Sequence, residues 1–371
     1  MTAEDRISAL TEFGFTVRHA RFLVTVMRHA GVCLLRQYAR FAGLVHGQKT
    51  RALFAKLVRR GYASAYACRH NRGRLYHVHH YALYQAIGEP HSRYRRPVPA
   101  GRVIERLMVL DAVLASPELT WLATQAEKVA HFTALTPPVP IETLPHATRK
   151  GAASPPAGAF PDKFPIGVDP DGRTVVVYLV MTSGLDQFRA FLGRHAELCR
   201  AVPAWTLRLV FPRSLEHAYQ AYHAVIREEW ESPLHRRTID QLTAYFEQRR
   251  ASAKGSVRPA DERCERAAWT FDGLRFEWFY RRWLKGGNTA LDEACSPVIS
   301  EALASGAGRI ECLVLPHHYS HLSPLVDIVG ARPTEAEKRA EKGEHEGEQT
   351  SPRPRPPFTP ASFDTSGSAS A

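Results

Sequence analysis

The chain lacks any run of the roughly 18 apolar residues that a membrane-spanning helix needs. Its first residues, MTAEDRISALTEFGF, carry acids where a secretory leader has basic residues and then an apolar stretch. Its six cysteines (Cys33, Cys68, Cys199, Cys264, Cys295 and Cys312) form no C-x-x-C pair and no disulfide-type spacing. A reduced, cytoplasmic protein with no membrane partner is the expectation. Acidic residues are scarce at one end only. Residues 1–100 hold Glu4, Asp5, Glu12 and Glu89 against 17 Lys and Arg, a balance of +13. The other 271 residues carry 32 basic and 33 acidic groups, so the whole positive excess lies in the first hundred. Fifteen of those 17 basic residues are arginine, whose planar fork fits phosphate oxygens and guanine edges. A basic surface kept only for solubility needs no such segregation, and nucleic acid is the polyanion it points to.

The first hundred residues read as three helices and a hairpin. Thr16 caps VRHARFLVTVMRHAG, which closes at Gly31; LLRQYARFAG ends at Gly43; GQKTRALFAKLVRRG runs to Gly61. The runs YASAYAC and RLYHVHH follow, joined by the turn-forming RHNRG. This order is that of a winged helix-turn-helix over residues 1–98. Residues 99–135 then supply two amphipathic segments, AGRVIERLMVLDAVLAS and PELTWLATQAEKVAHF, both read as helices. They either pack on the hairpin unit or make a homodimer through residues 101–131. Residues 136–159, rich in proline and small residues, read as a linker. A smaller α/β domain spans 160–330, with apolar strands at Val175–Val180, WTLRLVFP and RIECLVLP alternating with helices. Residues 331–371 are poor in apolar side chains and read as a disordered tail. The fold class expected is therefore α+β.

On the third helix, Leu53, Phe54, Leu57 and Val58 mark the buried face. Gln48, Ala52, Lys56 and Arg59 then share the outer face, with Lys49 and Arg51 on its flanks. A helix with such a face suits the major groove, where arginine and glutamine reach base edges and lysine meets phosphate. Many solvated helices carry basic residues outside; the hairpin and the charge segregation beside this one point to double-stranded DNA. At the hairpin tip, Arg69, Asn71, Arg72 and Arg74 form the expected wing contact with the DNA backbone or minor groove. The candidate DNA-binding residues are thus Gln48, Lys49, Arg51, Lys56, Arg59, Arg72 and Arg74.

Catalytic readings are weaker. His77 and His79 share a strand face and, with Cys68 or His70, suggest zinc, but without regular ligand spacing. The H-V-H triplet with Tyr81 and Tyr84 looks like the His-hydrophobe-His motif of HUH endonucleases. Three preceding helices and the too-close tyrosines argue against it. PDKFPIGVDPDGRTVVVYLV resembles the PD-(D/E)xK nuclease core, with Asp162, Asp169 or Asp171 as the first acid. Its strand VVVYLV has neither the acid nor the lysine that such a core needs, so the domain reads as a degenerate, inactive one. His317, His318 and His321 follow a strand without an acidic partner at fixed spacing. FEWFYRRWLKGG, with Arg281, Arg282 and Lys285, reads as core packing before base stacking. No catalytic residue, metal or cofactor is expected.

Over residues 15–135 the chain resembles the plasmid replication-relaxation proteins and related proteins of integrative and conjugative elements. The resemblance rests on TVRHARFLVTVMRHAGVCLLRQYARFAG, KLVRRGYA and RLYHVHHYALYQAIGEP. It implies a DNA-binding role in the replication, maintenance or regulation of a plasmid or integrative element, and brings no catalytic residues with it. The alternatives are a metal-dependent nuclease or nickase and a MarR-like regulator whose helices 101–131 form the dimer.

Overall fold

The computed structural model describes residues 1–45, 48–69, 73–139, 164–253, 267 and 269–322, without the side chains of Gln48 and Lys49. The protein is mixed α+β with two sheets. Helix α1 (Ala3–Glu12), not anticipated from the sequence, opens with a reciprocal cap. Thr2 Oγ1 accepts from the Asp5 N–H, and the Asp5 carboxylate accepts from the Thr2 N–H. Helix α2 (Val17–His29) is capped by Thr16 as expected, its hydroxyl accepting from His19 N–H at 3.3 Å. The chain leaves it through Gly31 at φ +72°, where a Cβ would collide with the Tyr94 carbonyl. Strand β1 (Val32–Leu34), α3 (Leu35–Ala42), α4 (Gln48–Arg59), β2 (Ala63–Ala67) and β3 (Arg74–Val78) follow. Strand β1 has no signature in the sequence, because three apolar residues before a helix carry no period.

The three strands form an antiparallel sheet in the order β1-β3-β2, with Tyr76 opposite both Cys33 and Ala65. As the central strand, β3 is buried on both faces. Tyr76 and Val78 join the cluster of Phe22, Phe54 and Leu57 from α2 and α4, the Phe54 and Tyr76 rings 4.4 Å apart. Leu75 faces the other way, into a cluster with Val32, Leu34 and Cys68.

After α5 (Tyr81–Ala86), helix α6 (Ala100–Ala115) lies between the two sheets. Val103, Leu107, Met108 and Ala112 pack among Val32, Leu34 and Leu75 on one side and Val175, Val177, Val210 and Leu315 on the other. Leu110 enters the first cluster, and the half-exposed Ile104, Val109 and Leu114 also pack on these cores. The apolar surface that the sequence offers to a second copy is covered within the chain. The described residues belong to one compact unit, in which the described parts of the expected domains 1–98 and 160–330 meet through α6.

The segment from Pro117 departs from the expected helix. Thr120–Leu122 is strand β4, and only Gln125–Ala134 is helical, as α7. Proline and the β-forming T-W-L favour extension, and Gly167 leaves room for Leu119 and Trp121 against the neighbouring strand. Strands β4, β5 (Ile166–Val168), β6 (Thr174–Leu179), β7 (Trp205–Pro212) and β8 (Gly308–Leu315) form the second sheet in that order. The first three pair antiparallel and the last three parallel. Val175, Val177 and Leu179 face α6, while Val176, Tyr178 and Val180 face α8 (Asp186–Ala201) and α9 (Tyr219–Ile226). Cover on both faces is why VVVYLV is a continuous apolar run. Helix α10 (Arg236–Ala253) and the helix Leu274–Gly286 make a separate cluster around Phe246, Tyr280 and Trp283. Of the expected linker, Thr136–Val139 are described; Val139 is buried and its N–H donates to the Phe132 carbonyl. The rest of the linker and the expected tail lie outside the described residues. No helix among the described residues is long and apolar enough to cross a membrane.

Candidate nucleic-acid interface

Helix α4 turns its buried side, Thr50, Leu53, Phe54 and Leu57, onto the first core. Val58, expected on that side, is instead 41 % exposed. Thr50, fully buried, completes the packed face with Leu53, Phe54 and Leu57, and Val58 lies at its edge. Arg51, Ala52, Ala55, Val58, Arg59 and Arg60 are left outside. The outer face therefore pairs small and aliphatic residues with arginines.

One side of this face borders a groove of about 790 Å³, walled by α4, the β2–β3 hairpin, the start of α3 and the segment after β8. Arg36, Arg51, Arg59 and Arg74 line it, and no carboxylate does among the described residues. Tyr76 lies at its base. Burial pushes the Tyr76 hydroxyl above its usual range, with the nearby Arg74 and Arg51 pulling against that rise. Arg51, Arg59 and Arg74 have no ion-pair partner among the described residues. Arg36 differs: it makes a bidentate pair with the fully buried Asp111, at 2.9 and 2.8 Å, and Tyr319 Oη donates to the same carboxylate at 2.6 Å. That network fixes the groove wall to α6 and to the segment leaving the second sheet. Nothing local in the sequence pairs Arg36 with a residue 75 positions away.

The structure thus gathers Arg51, Arg59 and Arg74 in one groove and separates Lys56 from them. Lys56 donates to the Gly14 carbonyl and sits 5.0 Å over the Phe15 ring, on the side of α4 facing the α1–α2 turn. Partial burial, then Arg60 and Arg59, hold its pKa below the usual lysine value. Arg60 beside it donates to the Phe13 carbonyl at 2.7 Å. Gln48 and Lys49 stand in the first turn of α4. Their side chains, with Arg72, Asn71, His70 and Asp162, lie outside the described residues. The hairpin narrows through Cys68 N–H, which donates to the Gly73 carbonyl at 2.8 Å, with Arg69 and Arg74 exposed on either side.

The described histidines and tyrosines behind the zinc and HUH readings meet neighbouring groups of the first region. His77 is 2 % exposed, with Nε2 3.1 Å from the Tyr94 carbonyl. Burial, with a smaller push from His79, lowers its pKa to about 4. His79 Nε2 lies 2.9 Å from Ser64 Oγ. Tyr84 is buried, its hydroxyl donating to the Val78 carbonyl at 3.1 Å, and burial raises its pKa. Tyr81 lies under Arg95. Asp169 organises the β5–β6 turn, accepting from Asp171 N–H at 3.0 Å and Arg173 N–H at 2.8 Å. No group of three His, Cys, Asp or Glu among the described residues is placed to hold a metal ion. His321 lines the groove rim; His317 is half-buried, which lowers its pKa. In the FEWFYRRWLKGG segment, Phe279, Tyr280 and Trp283 are core, and Arg282 pairs with Glu197 and Glu293 at 2.7 Å each.

Comparisons with protein-family models, curated proteins and solved structures find no match to this chain.

Proposed function

We propose that the protein binds double-stranded DNA without cleaving it, through α4 and the β2–β3 hairpin. The observation that carries this reading is the groove in which Arg51, Arg59 and Arg74 stand without ion-pair partners among the described residues. Residues 17–78 run helix, strand, helix, helix, strand, strand, with sheet order β1-β3-β2, as a winged helix-turn-helix does. In that reading α4 enters the major groove and the hairpin flanks it. One sugar–phosphate strand passes between them, along the arginines. The small outer residues Ala52 and Ala55 let the helix approach the bases closely.

The second sheet is then a support, in the manner of a nuclease-like core without its metal site: β6 carries Thr174–Leu179 and no acid or lysine. The resemblance to plasmid replication-relaxation proteins supports a role in the upkeep or regulation of a plasmid or integrative element. The test is binding-site selection from a randomised duplex library with the full chain. An enriched motif, lost with Arg51→Ala/Arg59→Ala/Arg74→Ala, is the expected result. Absence of duplex binding refutes the proposal. Plasmid nicking in Mg²⁺ that disappears with Asp162→Ala refutes its non-catalytic half.

A further inference from the structure

Val58 is a misfit on its surface. It is 41 % exposed at the edge of a groove whose lining also includes Arg51, Arg59 and Arg74. Valine forms helices less readily than arginine, lysine or alanine, and here little burial compensates. The other exposed valines, Val17, Val45, Val298 and Val314, do not line this groove. Ala55, one turn earlier on the same side, is also exposed and also lines this groove. An aliphatic side chain has nothing to offer a phosphate or a guanine edge. In the major groove the one apolar feature that a base pair presents is the C5-methyl group of thymine.

We infer that Val58, with Ala55 beside it, reads the C5-methyl group of a thymine in the recognised duplex, framed by Arg51 and Arg59. The inference rests on the DNA-binding reading above and makes Val58 a specificity determinant within it. Methyl-on-valine packing excludes water from both groups, and cytosine in the same place has no methyl to offer. The arginines hold the backbone and neighbouring base edges, so the valine sets which base is preferred beside them rather than whether DNA binds.

The experiment uses the full chain and the duplex recovered by selection, with each thymine replaced in turn by deoxyuridine, which removes only the methyl. At one position the wild-type protein should bind about fourfold more weakly, the counterpart of one methyl group buried. Val58→Ala, a change on an exposed helix surface, should bind the thymine duplex about fourfold more weakly and be indifferent to deoxyuridine there. If no deoxyuridine position weakens wild-type binding, or Val58→Ala keeps the same sensitivity, the inference is wrong while DNA binding stands. If selection recovers no duplex, the DNA-binding reading has failed and takes this one with it.

Discussion

Arginine does opposite work in two places of this molecule. In the second half several arginines are matched: Arg208 with Glu311 at 2.8 Å, Arg200 with Glu293 at 2.9 Å, and Arg189 with both Glu228 and Glu229 at 2.5 Å. Around α4 and the hairpin, Arg51, Arg59 and Arg74 share a groove that no carboxylate lines among the described residues. Residues 1–100 carry a balance of +13 against near neutrality elsewhere. Within them Arg6, Arg21 and Arg28 are matched, while Arg51, Arg59 and Arg74 have no ion-pair partner among the described residues. Matched arginines tie elements together; unmatched ones raise a local positive potential that a polyanion can neutralise. Arg36 belongs to both groups, lining the groove while held by Asp111. It shows how the groove wall is kept rigid.

The comparison breaks most visibly at Asp111. Asp111→Ala leaves Arg36 without its carboxylate and Tyr319 without its acceptor, in a site where the aspartate is fully buried. A loss of about 3–5 kcal/mol in folding stability is expected, read by urea denaturation. A loss under about 1 kcal/mol would mean that the pair does not hold the two sheets together.

The next effect concerns pH. His77 has a folded pKa of about 4 against an ordinary value of 6.5, so the unfolded chain takes up the proton first as pH falls. Stability from this group is complete above about pH 6.5. It declines as pH drops from there to about 4, by roughly 3 kcal/mol in all. His77→Gln should flatten that part of the stability profile. An unchanged slope in the variant would place the titration elsewhere.

The smallest effect sharpens the contrast. Arg208→Ala removes a half-exposed pair with Glu311 and a bond to Ser116 Oγ, and should cost about 1 kcal/mol of stability. DNA affinity should not move. Weaker duplex binding by a stable Arg208→Ala protein would show that the second half also touches DNA.

Much of the first region is legible in the sequence because its punctuation is local. Thr16 caps α2, and Gly31, Gly43 and Gly61 each turn the chain at positive φ just past a helix. The hairpin follows from its β-forming runs and turn residues. What escapes is set by partners far along the chain. Val58 follows Phe54 at helical spacing and so looks buried, but it lies at the edge of a packed face that Thr50, Leu53, Phe54 and Leu57 make up. Lys56 looks free until the α1–α2 turn brings the Gly14 carbonyl to it. The T-W-L of β4 reads as part of a helix until β5, more than 40 residues later, supplies its pairing edge. His77 suggests a zinc ligand because it shares a strand face with His79, whereas its Nε2 meets the Tyr94 carbonyl.

The central claim, that unmatched arginines in the α4–hairpin groove carry the binding of DNA, is tested most directly by salt. Duplex affinity of the full chain is titrated across salt concentrations for wild type and for Arg51→Ala/Arg59→Ala/Arg74→Ala. The log–log slope for wild type should be steep. In the triple variant it should flatten by about 2.7 units, at about 0.9 for each phosphate no longer neutralised, with folding stability unchanged. Equal slopes for a folded triple variant and wild type would contradict the account and move the interface away from this groove.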